Sequence, residues 1–152
     1  MYRATTHGFS AATFPAKCDG RARLLVLVRA RGGSAVGWLF GGFTAVGFSA
    51  PPGGSGYIAD PAAFLFSLTN SLGRPEKLRS KRTGEDLFYH PSVSAIFGSG
   101  WDLRIFDNAD TRACSQTYTG CSYTMPASTG AHPMARGLQD GWLAAEVVAW
   151  AV

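Results

Sequence analysis

Phe97–Asn108 reads Phe-Gly-Ser-Gly-Trp-Asp-Leu-Arg-Ile-Phe-Asp-Asn and carries the clearest structural signal in the chain. Gly98 and Gly100 permit a backbone bend, since glycine adopts conformations that other residues avoid. After them apolar and polar side chains alternate, and successive side chains of a strand point to opposite faces of a sheet. We therefore predict a half-buried strand. Its apolar face is formed by Trp101, Leu103 and Ile105, and its polar face by Asp102 and Arg104.

A polar pair ends this strand, and a second strand precedes it in the chain. Asp107 and Asn108 favour a turn, because both side chains readily hydrogen-bond the nearby backbone. Upstream, Ala62–Asn70 follows Asp60 and Pro61 and is apolar on both faces over most of its length. Such a strand is expected at the centre of a sheet that is covered on both sides. The two strands predict a layered β domain.

Length and cysteine content limit the class of protein. The 152 residues suit a single domain, and 19 glycines fit short strands joined by tight turns. Cys18, Cys114 and Cys121 are odd in number and lack Cys-x-x-Cys spacing, which argues against a disulfide framework and a zinc site. The first residues lack the apolar core of a signal peptide, so we expect a reducing, cytosol-like compartment. Nothing in these patterns calls for a cofactor.

Charge is sparse and weighted towards basic residues, with a formal net charge of +4. Lys77–Arg82 is the densest basic group and contains no aromatic residue. We interpret it as an edge strand and loop, where lysine and arginine discourage pairing with another sheet, in preference to a nucleic-acid surface. Gly32–Ala59 contains no charged residue. Gly, Pro, Ser and Thr interrupt it too often for a membrane-spanning helix, so we predict two uncharged strands and a loop.

A short helix and a hairpin are predicted in the first third of the chain. Ser10 is a suitable N-cap for a helix over Ala11–Lys17. Leu24–Val28 is aliphatic and predicts a buried strand, and Val36–Val46 returns as the second arm of a hairpin. The Gly41-Gly42 pair in that arm leaves room for close backbone approach. The next elements are an open loop at Phe48–Tyr57, an edge strand at Lys77–Ser80 and brief strands at Asp86–Tyr89 and Ser94–Phe97.

The last part of the chain combines a long loop with a closing strand. Asn108–Gln139 is polar, and only Ser122–Thr124 within it has the pattern of an ordered element. Loops of this length in compact domains are usually functional or mobile. We predict Trp142–Trp150 as the last strand, beside the edge formed by Met1–Arg3. Its faces are Trp142, Ala144, Glu146 and Val148 on one side and Leu143, Ala145 and Val147 on the other.

Catalytic signals in the sequence are weak. His7, His90 and His132 each adjoin glycine or proline, so we interpret them as turn or surface residues, with Thr6–Gly8 as a turn. Ser10, His7 and Glu146 are the residue types of a nucleophile, a base and an orienting acid, but a triad is defined by geometry that a sequence does not contain. We therefore expect the protein not to be an enzyme.

The acids and the cysteines have structural explanations beside functional ones. For the acids we prefer turn capping or internal hydrogen bonds over partner contact; they are Asp102, Asp107 and Glu146. Cys18 ends the predicted helix and is expected to be buried and structural. Cys114 and Cys121 lie in the polar loop, where we expect them to be exposed and open to oxidation. These two are the redox candidates.

Several short motifs occur in a fixed order along the chain. They are Thr6–Ser10, Lys17–Gly20, Phe40–Thr44, Asp60–Leu68, Phe97–Ile105, Asp107–Asn108 and Ala145–Val147. Each is weakly specific, but the set and its spacing closely resemble the TLDc domain family from Tyr2 to Trp150. We therefore expect residues 1–152 to form a single TLDc-like domain.

The resemblance implies a mainly β fold, a sandwich of two antiparallel sheets flanked by a few short helices. It implies kinship with oxidation-resistance proteins, and several relatives bind and regulate the vacuolar-type proton-pumping ATPase. No enzymatic chemistry is attached to the family, so the implied function is a non-catalytic protein-interaction domain. Its implied location is the cytoplasm, with recruitment to vacuolar or endolysosomal membranes and no transmembrane segment. The motif residues placed to contact a partner are His7, Gly8, Gly98, Gly100, Asp102, Asp107 and Glu146.

Two features depart from the family pattern. Full TLDc domains begin with a further helical segment and a longer first strand, whereas this chain starts at Met1 inside that strand. We therefore expect an exposed edge through which the chain dimerises or binds a partner. The family often places two acids at alternate positions of the last strand, but here Val148 follows Glu146. This argues against a role for paired acids in that strand.

A lectin-like sandwich is the alternative function class. Such a domain binds ligands through aromatic side chains, and the candidates here are Trp38, Trp101 and Tyr57. Capture of a protein partner would favour the interaction domain, and binding to a glycan array would favour the lectin.

Overall fold

The computed structural model describes residues 1–32, 36–99, 102–125, 134 and 141–152. Predictions for Gly100, Trp101 and His132 lie outside these residues. The described elements, in chain order, are β1 (Tyr2–Arg3), α1 (Ala4–His7), α2 (Thr13–Cys18), β2 (Leu24–Arg31), β3 (Leu39–Thr44), β4 (Gly56–Ile58), β5 (Phe64–Ser67), β6 (Glu76–Arg79), β7 (Leu87–Tyr89), β8 (Val93–Phe97), β9 (Leu103–Phe106) and β10 (Leu143–Ala151).

The strands form two antiparallel sheets that pack together, which confirms the predicted sandwich flanked by short helices. The larger sheet has the order β1-β10-β2-β3-β5-β6 and the smaller one β4-β7-β8-β9. β1 lies at a sheet edge and pairs with β10 through Tyr2 with Ala149 and Arg3 with Val148. The first strand is therefore beside the closing strand, as predicted. Dimerisation through this edge stays a prediction.

The strand predicted from the opening stretch is β9, which pairs with β8. Leu103 and Ile105 are almost completely buried, whereas Arg104 and Phe106 on the opposite face are only half-buried. The predicted alternation of β9 is confirmed at these positions. Asp102, however, is completely buried and does not share the environment of Arg104.

The two sheets are in direct contact where β3 meets β8. A Cβ added at Gly42 would lie 2.5 Å from Cζ of Phe97, so the aromatic ring occupies the place of the missing side chain. Phe48 meets Phe97 edge-on at a centroid distance of 5.3 Å, and Phe14 of α2 meets Phe48 at 5.7 Å. Phe48 belongs to the segment predicted as an open loop, yet it is buried, because its ring joins α2 to the core between the sheets.

The prediction that the strand in Ala62–Asn70 is covered on both sides is wrong. In β5 the side chains of Leu65 and Ser67 are fully buried, while Phe64 and Phe66 on the opposite face are half-buried. One face of β5 packs against the smaller sheet and the other faces outward. The aromatic residues on the outer side gave the strand its two-sided apolar pattern.

The faces predicted for the closing strand are also wrong over part of its length. The pairing of β10 with β2 shifts between Ala144 and Glu146, which is the signature of a β-bulge. An extra residue at a bulge reverses the alternation, so Ala144 points inward before it and Val147 and Ala149 point inward after it. A sequence-based alternation carries no information about such a shift.

Parts of the predicted long loop and of the N-terminal turn are more ordered than expected. Arg104 forms a bridge with Gln116, and Ser115 forms one with Trp142, so the chain after β9 returns to both sheets. Ala4–His7 is a single helical turn. The next helix begins at Thr13, two residues later than predicted, which places Pro15 in its first turn, where a missing N–H is tolerated. No helix within the described ranges is long and apolar enough to cross a membrane.

Gly42→Ala should destabilise the domain by about 1 to 3 kcal/mol, because the new methyl group overlaps the Phe97 ring in a close-packed core. Urea unfolding of the single variants and of the double variant with Phe97→Leu measures this cost. The cost of Gly42→Ala should fall in the Phe97→Leu background, since the smaller side chain vacates the site. An equal cost in both backgrounds would show that the overlap is not its cause.

Candidate functional site

Three of the predicted contact residues, His7, Gly8 and Glu146, meet around α1 and its neighbours β1 and β10, a region we call the α1 corner. Tyr2 of β1 donates a hydrogen bond from its hydroxyl to the Gly8 carbonyl oxygen at 2.9 Å. Its ring stacks on His7 at a centroid distance of 6.0 Å. The Arg3 backbone N–H donates to His7 Nδ1 at 3.0 Å. Nδ1 is thus an acceptor, so the neutral imidazole carries its proton on Nε2.

Gly8 ends α1 in a conformation that favours glycine. Its φ of 95° lies in a region that side chains with a Cβ rarely adopt. The Gly8 N–H donates to the Ala4 carbonyl oxygen at 2.8 Å and closes the helical turn. The exposed residues Thr5, Thr6, His7 and Gly8 therefore have a fixed backbone.

Glu146 holds the start of α1 from the neighbouring strand. Its carboxylate accepts hydrogen bonds from the Thr5 N–H at 3.2 Å and the Thr5 hydroxyl at 2.6 Å. Arg3, the N-cap residue, makes no side-chain capping bond, so Glu146 supplies the acceptor that the helix start lacks. The Val147 N–H adds a bond to Glu146 at 3.2 Å. The bulge before Glu146 and the capping of α1 thus occur at the same place.

The catalytic arrangement considered from the sequence is not formed. His7 Nδ1 is bonded to Arg3, the Glu146 carboxylate to Thr5, and the Ser10 hydroxyl accepts from the Ala12 N–H at 3.3 Å. No two of the three side chains, all of them in the described part, hydrogen-bond each other. The α1 corner therefore has the geometry of a braced surface turn.

Asp107 positions the chain before α2. One carboxylate oxygen accepts from the Ala11 N–H at 2.7 Å, and the other from the Asn108 side-chain amide at 2.7 Å. The Asn108 N–H donates to the Phe9 carbonyl oxygen at 3.0 Å. Asn108 has a φ of 52°, the left-handed conformation expected of a turn residue. The predicted turn is confirmed, and it also clamps the segment between the two helices.

Asp102 organises the loop that contains Cys121. Its carboxylate accepts backbone hydrogen bonds from four successive residues, Gly120 to Tyr123, at 2.8 to 3.4 Å. Burial raises the pKa of Asp102, and the four N–H donors act in the opposite direction. Gly98 has a φ of 83°, and a Cβ there would lie 2.1 Å from the Asp102 carboxylate. The glycine therefore makes room for the buried acid, and the role of Asp102 is an internal hydrogen-bond hub.

Asp60 and Asp86, which the sequence analysis did not propose as sites, form a second buried hub. Asp60 accepts from the Thr44 hydroxyl at 2.7 Å and the Ala45 N–H at 2.6 Å, and its own N–H donates to the Asp86 carboxylate at 2.8 Å. The Ser80 hydroxyl also donates to Asp86. Both acids are about 1% exposed. Asp60 lies just before the predicted strand at Ala62–Asn70, and sequence does not distinguish a buried turn acid from an exposed one.

An open groove of about 530 Å³ lies beside the segment that Asp107 clamps. It runs between the residues before α2, the residues before β8 and the end of β9. Its polar lining is Ser10, Ser92, Asp107, Arg112 and Cys114. Asp107 already uses both carboxylate oxygens, which leaves Arg112 as the charged group facing outward. In the part of the chain that the structure covers, no three His, Cys, Asp or Glu side chains come together as metal ligands.

The remaining candidates are separated in the fold. His90 Nδ1 accepts from the Ser92 N–H at 3.1 Å, which is the turn role predicted for it. Tyr57 is 49% exposed in β4 of the smaller sheet and packs edge-on against Phe88. Trp38 precedes β3 of the larger sheet and is packed against the core. The described aromatic residues of the lectin alternative thus belong to different sheets.

Comparison with known proteins identifies one family. A family model described as TLDc domain matches residues 1–135, which ends before β10. No curated protein matches the chain. The match covers α1, α2, both buried acid hubs and the groove.

Thiol labelling should modify Cys121 and Cys114 before Cys18. Cys121 is exposed and Cys114 partly exposed, whereas Cys18 is buried. Burial raises the pKa of the Cys18 thiol from 9.0 to about 11, so little reactive thiolate forms near neutral pH. Mass spectrometry of native protein sampled during iodoacetamide treatment measures the order. Labelling of Cys18 as fast as Cys121 would contradict its structural role.

Proposed function

Because the chain belongs to the TLDc domain family, we propose that it is a non-catalytic protein-interaction domain whose contact surface includes the α1 corner. Family membership supports an oxidative-stress-related domain. The proposal adds that this role is exercised by binding another protein and not by a reaction at a site of its own.

The observation that carries the proposal is how the motif side chains use their polar atoms. Asp102, Asp107 and Glu146 each accept from backbone N–H groups of a neighbouring loop or helix, and His7 Nδ1 accepts from Arg3. General acid–base chemistry requires a group within reach of a bound substrate and poised to transfer a proton. These groups are instead committed to holding backbone segments in place. The motif therefore shapes a surface.

The α1 corner has the properties of a prepared contact surface. Thr5, Thr6, His7 and Gly8 are exposed, and their backbone is held by Glu146 on one side and by Tyr2 on another. A surface that is rigid before binding loses less conformational entropy when a partner docks. The Nε2–H of His7 adds an exposed hydrogen-bond donor.

The partner we propose is the vacuolar-type proton-pumping ATPase, which the family resemblance favours. Binding would place the domain in the cytoplasm and recruit it to vacuolar or endolysosomal membranes. Regulation of the pump would then give the domain its role in oxidative stress without chemistry of its own.

Thr6→Arg should weaken binding to purified vacuolar-type proton ATPase by about tenfold or more, a loss of about 1.4 kcal/mol, because a long cation would stand in the middle of the contact. Co-sedimentation of labelled domain with the enzyme measures the affinity. Ser71→Arg is the matched control, since Ser71 is an exposed hydroxyl residue in the loop between β5 and β6.

Three results of this experiment are informative. The α1 corner is supported as the contact surface if Thr6→Arg weakens binding to the ATPase and Ser71→Arg does not. Equal binding by both variants would mean that the α1 corner is not the contact. Absence of binding by the unmodified domain would reject the ATPase as the partner.

The purified domain should not consume hydrogen peroxide catalytically. Oxidation of its three free cysteines is a stoichiometric event, and nothing in the α1 corner regenerates a thiol. When no thiol is added, peroxide loss should therefore stop once the cysteines are oxidised, and it should exceed that of protein carrying Cys114→Ser and Cys121→Ser only by this stoichiometric amount. Continued turnover that disappears in this double variant would overturn the non-catalytic assignment.

A further inference from the structure

The outward side of the six-stranded sheet, here called the outer face, is a broad apolar surface. Strand register places Trp150, Leu25, Phe43 and Phe64 in one row across four strands. Val148, Leu27, Gly41 and Phe66 lie in the next row. Val148 is 9% exposed, and the larger side chains of both rows are half-buried, whereas neighbours that point inward, such as Val26 and Leu65, are fully buried.

Within the described residues no second layer covers the outer face. The smaller sheet packs on the inner face, where Phe97 reaches Gly42. Helix α2 contacts β8 and β1, and α1 contacts β10 and β1 at the sheet edge. A sheet with an apolar face is normally stabilised by packing another element over it. Large exposed apolar patches with a polar rim commonly mark interaction sites.

The aromatic rings of the outer face pack against the sheet and against one another. The Phe66 ring lies over Gly41, with Cζ 3.0 Å from the place of a Cβ on that glycine. Phe43 and Phe64 stack with ring planes 23° apart at a centroid distance of 5.1 Å.

Cations surround these rings. Lys77 Nζ lies 3.8 Å from the Phe64 ring centroid, and the Arg23 guanidinium lies 6.0 Å from that of Phe43. Arg79 of β6, Arg29 of β2 and Arg3 of β1 also point outward, since each is paired in register with an outward residue. Among the described residues none of these five side chains lies within ion-pair distance of an aspartate or glutamate, although the Arg23 Nε–H donates to the Val152 backbone oxygen at 2.9 Å. The rim is therefore positive from one sheet edge to the other.

The one acid of the described strands that points outward is Glu146, and its carboxylate is already bonded to Thr5. At the β6 margin a groove of about 230 Å³ opens between Phe64, Lys77, Arg79 and Arg82. A carboxylate entering this groove would meet three cations and an aromatic wall. An unpaired positive rim around an apolar centre is complementary to a partner with an apolar centre and a negative rim.

We propose that the outer face binds an amphipathic helix of a partner protein, with an apolar stripe flanked on both sides by aspartate and glutamate. The stripe packs on the aromatic rows, and the acidic flanks meet the cations of β1, β2 and β6. Helices dock on apolar surfaces through such stripes. A second copy of this chain does not fit, because its own outer face would bring the same positive charges together.

Two peptides of about 18 residues test the charge requirement, since about 27 Å of helix matches the length of the longer strands. Both carry the same leucine stripe, one with glutamate flanks and the other with lysine flanks. Fluorescence anisotropy should show that the full chain binds the glutamate peptide about tenfold or more tightly than the lysine peptide. The preference should shrink as salt is raised, because exposed charges are screened.

Charge reversal on the chain locates the binding surface. Lys77→Glu with Arg79→Glu should weaken glutamate-peptide binding about tenfold or more and should improve lysine-peptide binding. Lys17→Glu with Arg21→Glu changes the net charge equally at exposed positions on and after α2, and should leave both affinities unchanged. Thr6→Arg should also leave them unchanged, which separates this surface from the α1 corner. Thermal melting of each variant verifies folding.

Other outcomes overturn the proposal. Equal affinity for the two peptides would reduce the outer face to a non-specific apolar surface. If neither peptide shows saturable binding up to about 1 mM, which corresponds to a binding free energy near −4 kcal/mol, the outer face does not bind an amphipathic helix. Binding to phosphatidylserine vesicles that is lost in the Lys77→Glu, Arg79→Glu variant, with no binding to either peptide, would assign the face to an anionic lipid surface instead.

Discussion

The spacing of the two sheets depends on the contact between Phe97 and Gly42. The ring of Phe97 fills the place that a side chain at Gly42 would take, so the sheets meet at a distance that only glycine permits. Phe48 packs on the same ring and in turn contacts Phe14 of α2, while Tyr123 approaches the ring from the loop after β9. Because the core is close-packed, the position of the Phe97 ring fixes the positions of these neighbouring rings. One aromatic contact thus positions the smaller sheet, a helix and a loop relative to the larger sheet.

Acids hold the loops around this core. Asp60, Asp86 and Asp102 are buried and fully engaged with backbone and hydroxyl donors, and Asp107 and Glu146 secure the two helices. The chain has 10 acidic residues, so half of them act inside the structure. A buried carboxylate is tolerated when such donors replace water. The consequence for the surface is that many of the lysine and arginine side chains in the described part of the chain face solvent without an aspartate or glutamate within ion-pair distance.

This distribution of charge connects the fold to function. β10 carries Glu146 at the α1 corner and Val148 and Trp150 on the outer face, so one strand supports both proposed contact surfaces. The corner is rigid and polar, and the outer face is apolar and positively rimmed. Two surfaces of different chemistry on one rigid sheet allow a small domain to contact a partner assembly at two places. Neither surface requires a reacting group, which agrees with a domain that acts by binding.

The β class, the turn at Asp107 and Asn108, the alternation in β9 and the edge character of Lys77 and Arg79 could be predicted from the sequence, because these features depend on neighbours within a few residues. The bulge before Glu146, the half-exposed outer side of β5 and the burial of Asp102 could not be predicted and follow from tertiary packing. Each depends on residues distant in the chain: β2 sets the register of β10, the smaller sheet covers a single face of β5, and Gly120 to Tyr123 supply the donors for Asp102. The local sequence pattern indicates which secondary structure a segment favours. Its burial and its hydrogen-bond partners depend on which distant segment packs against it.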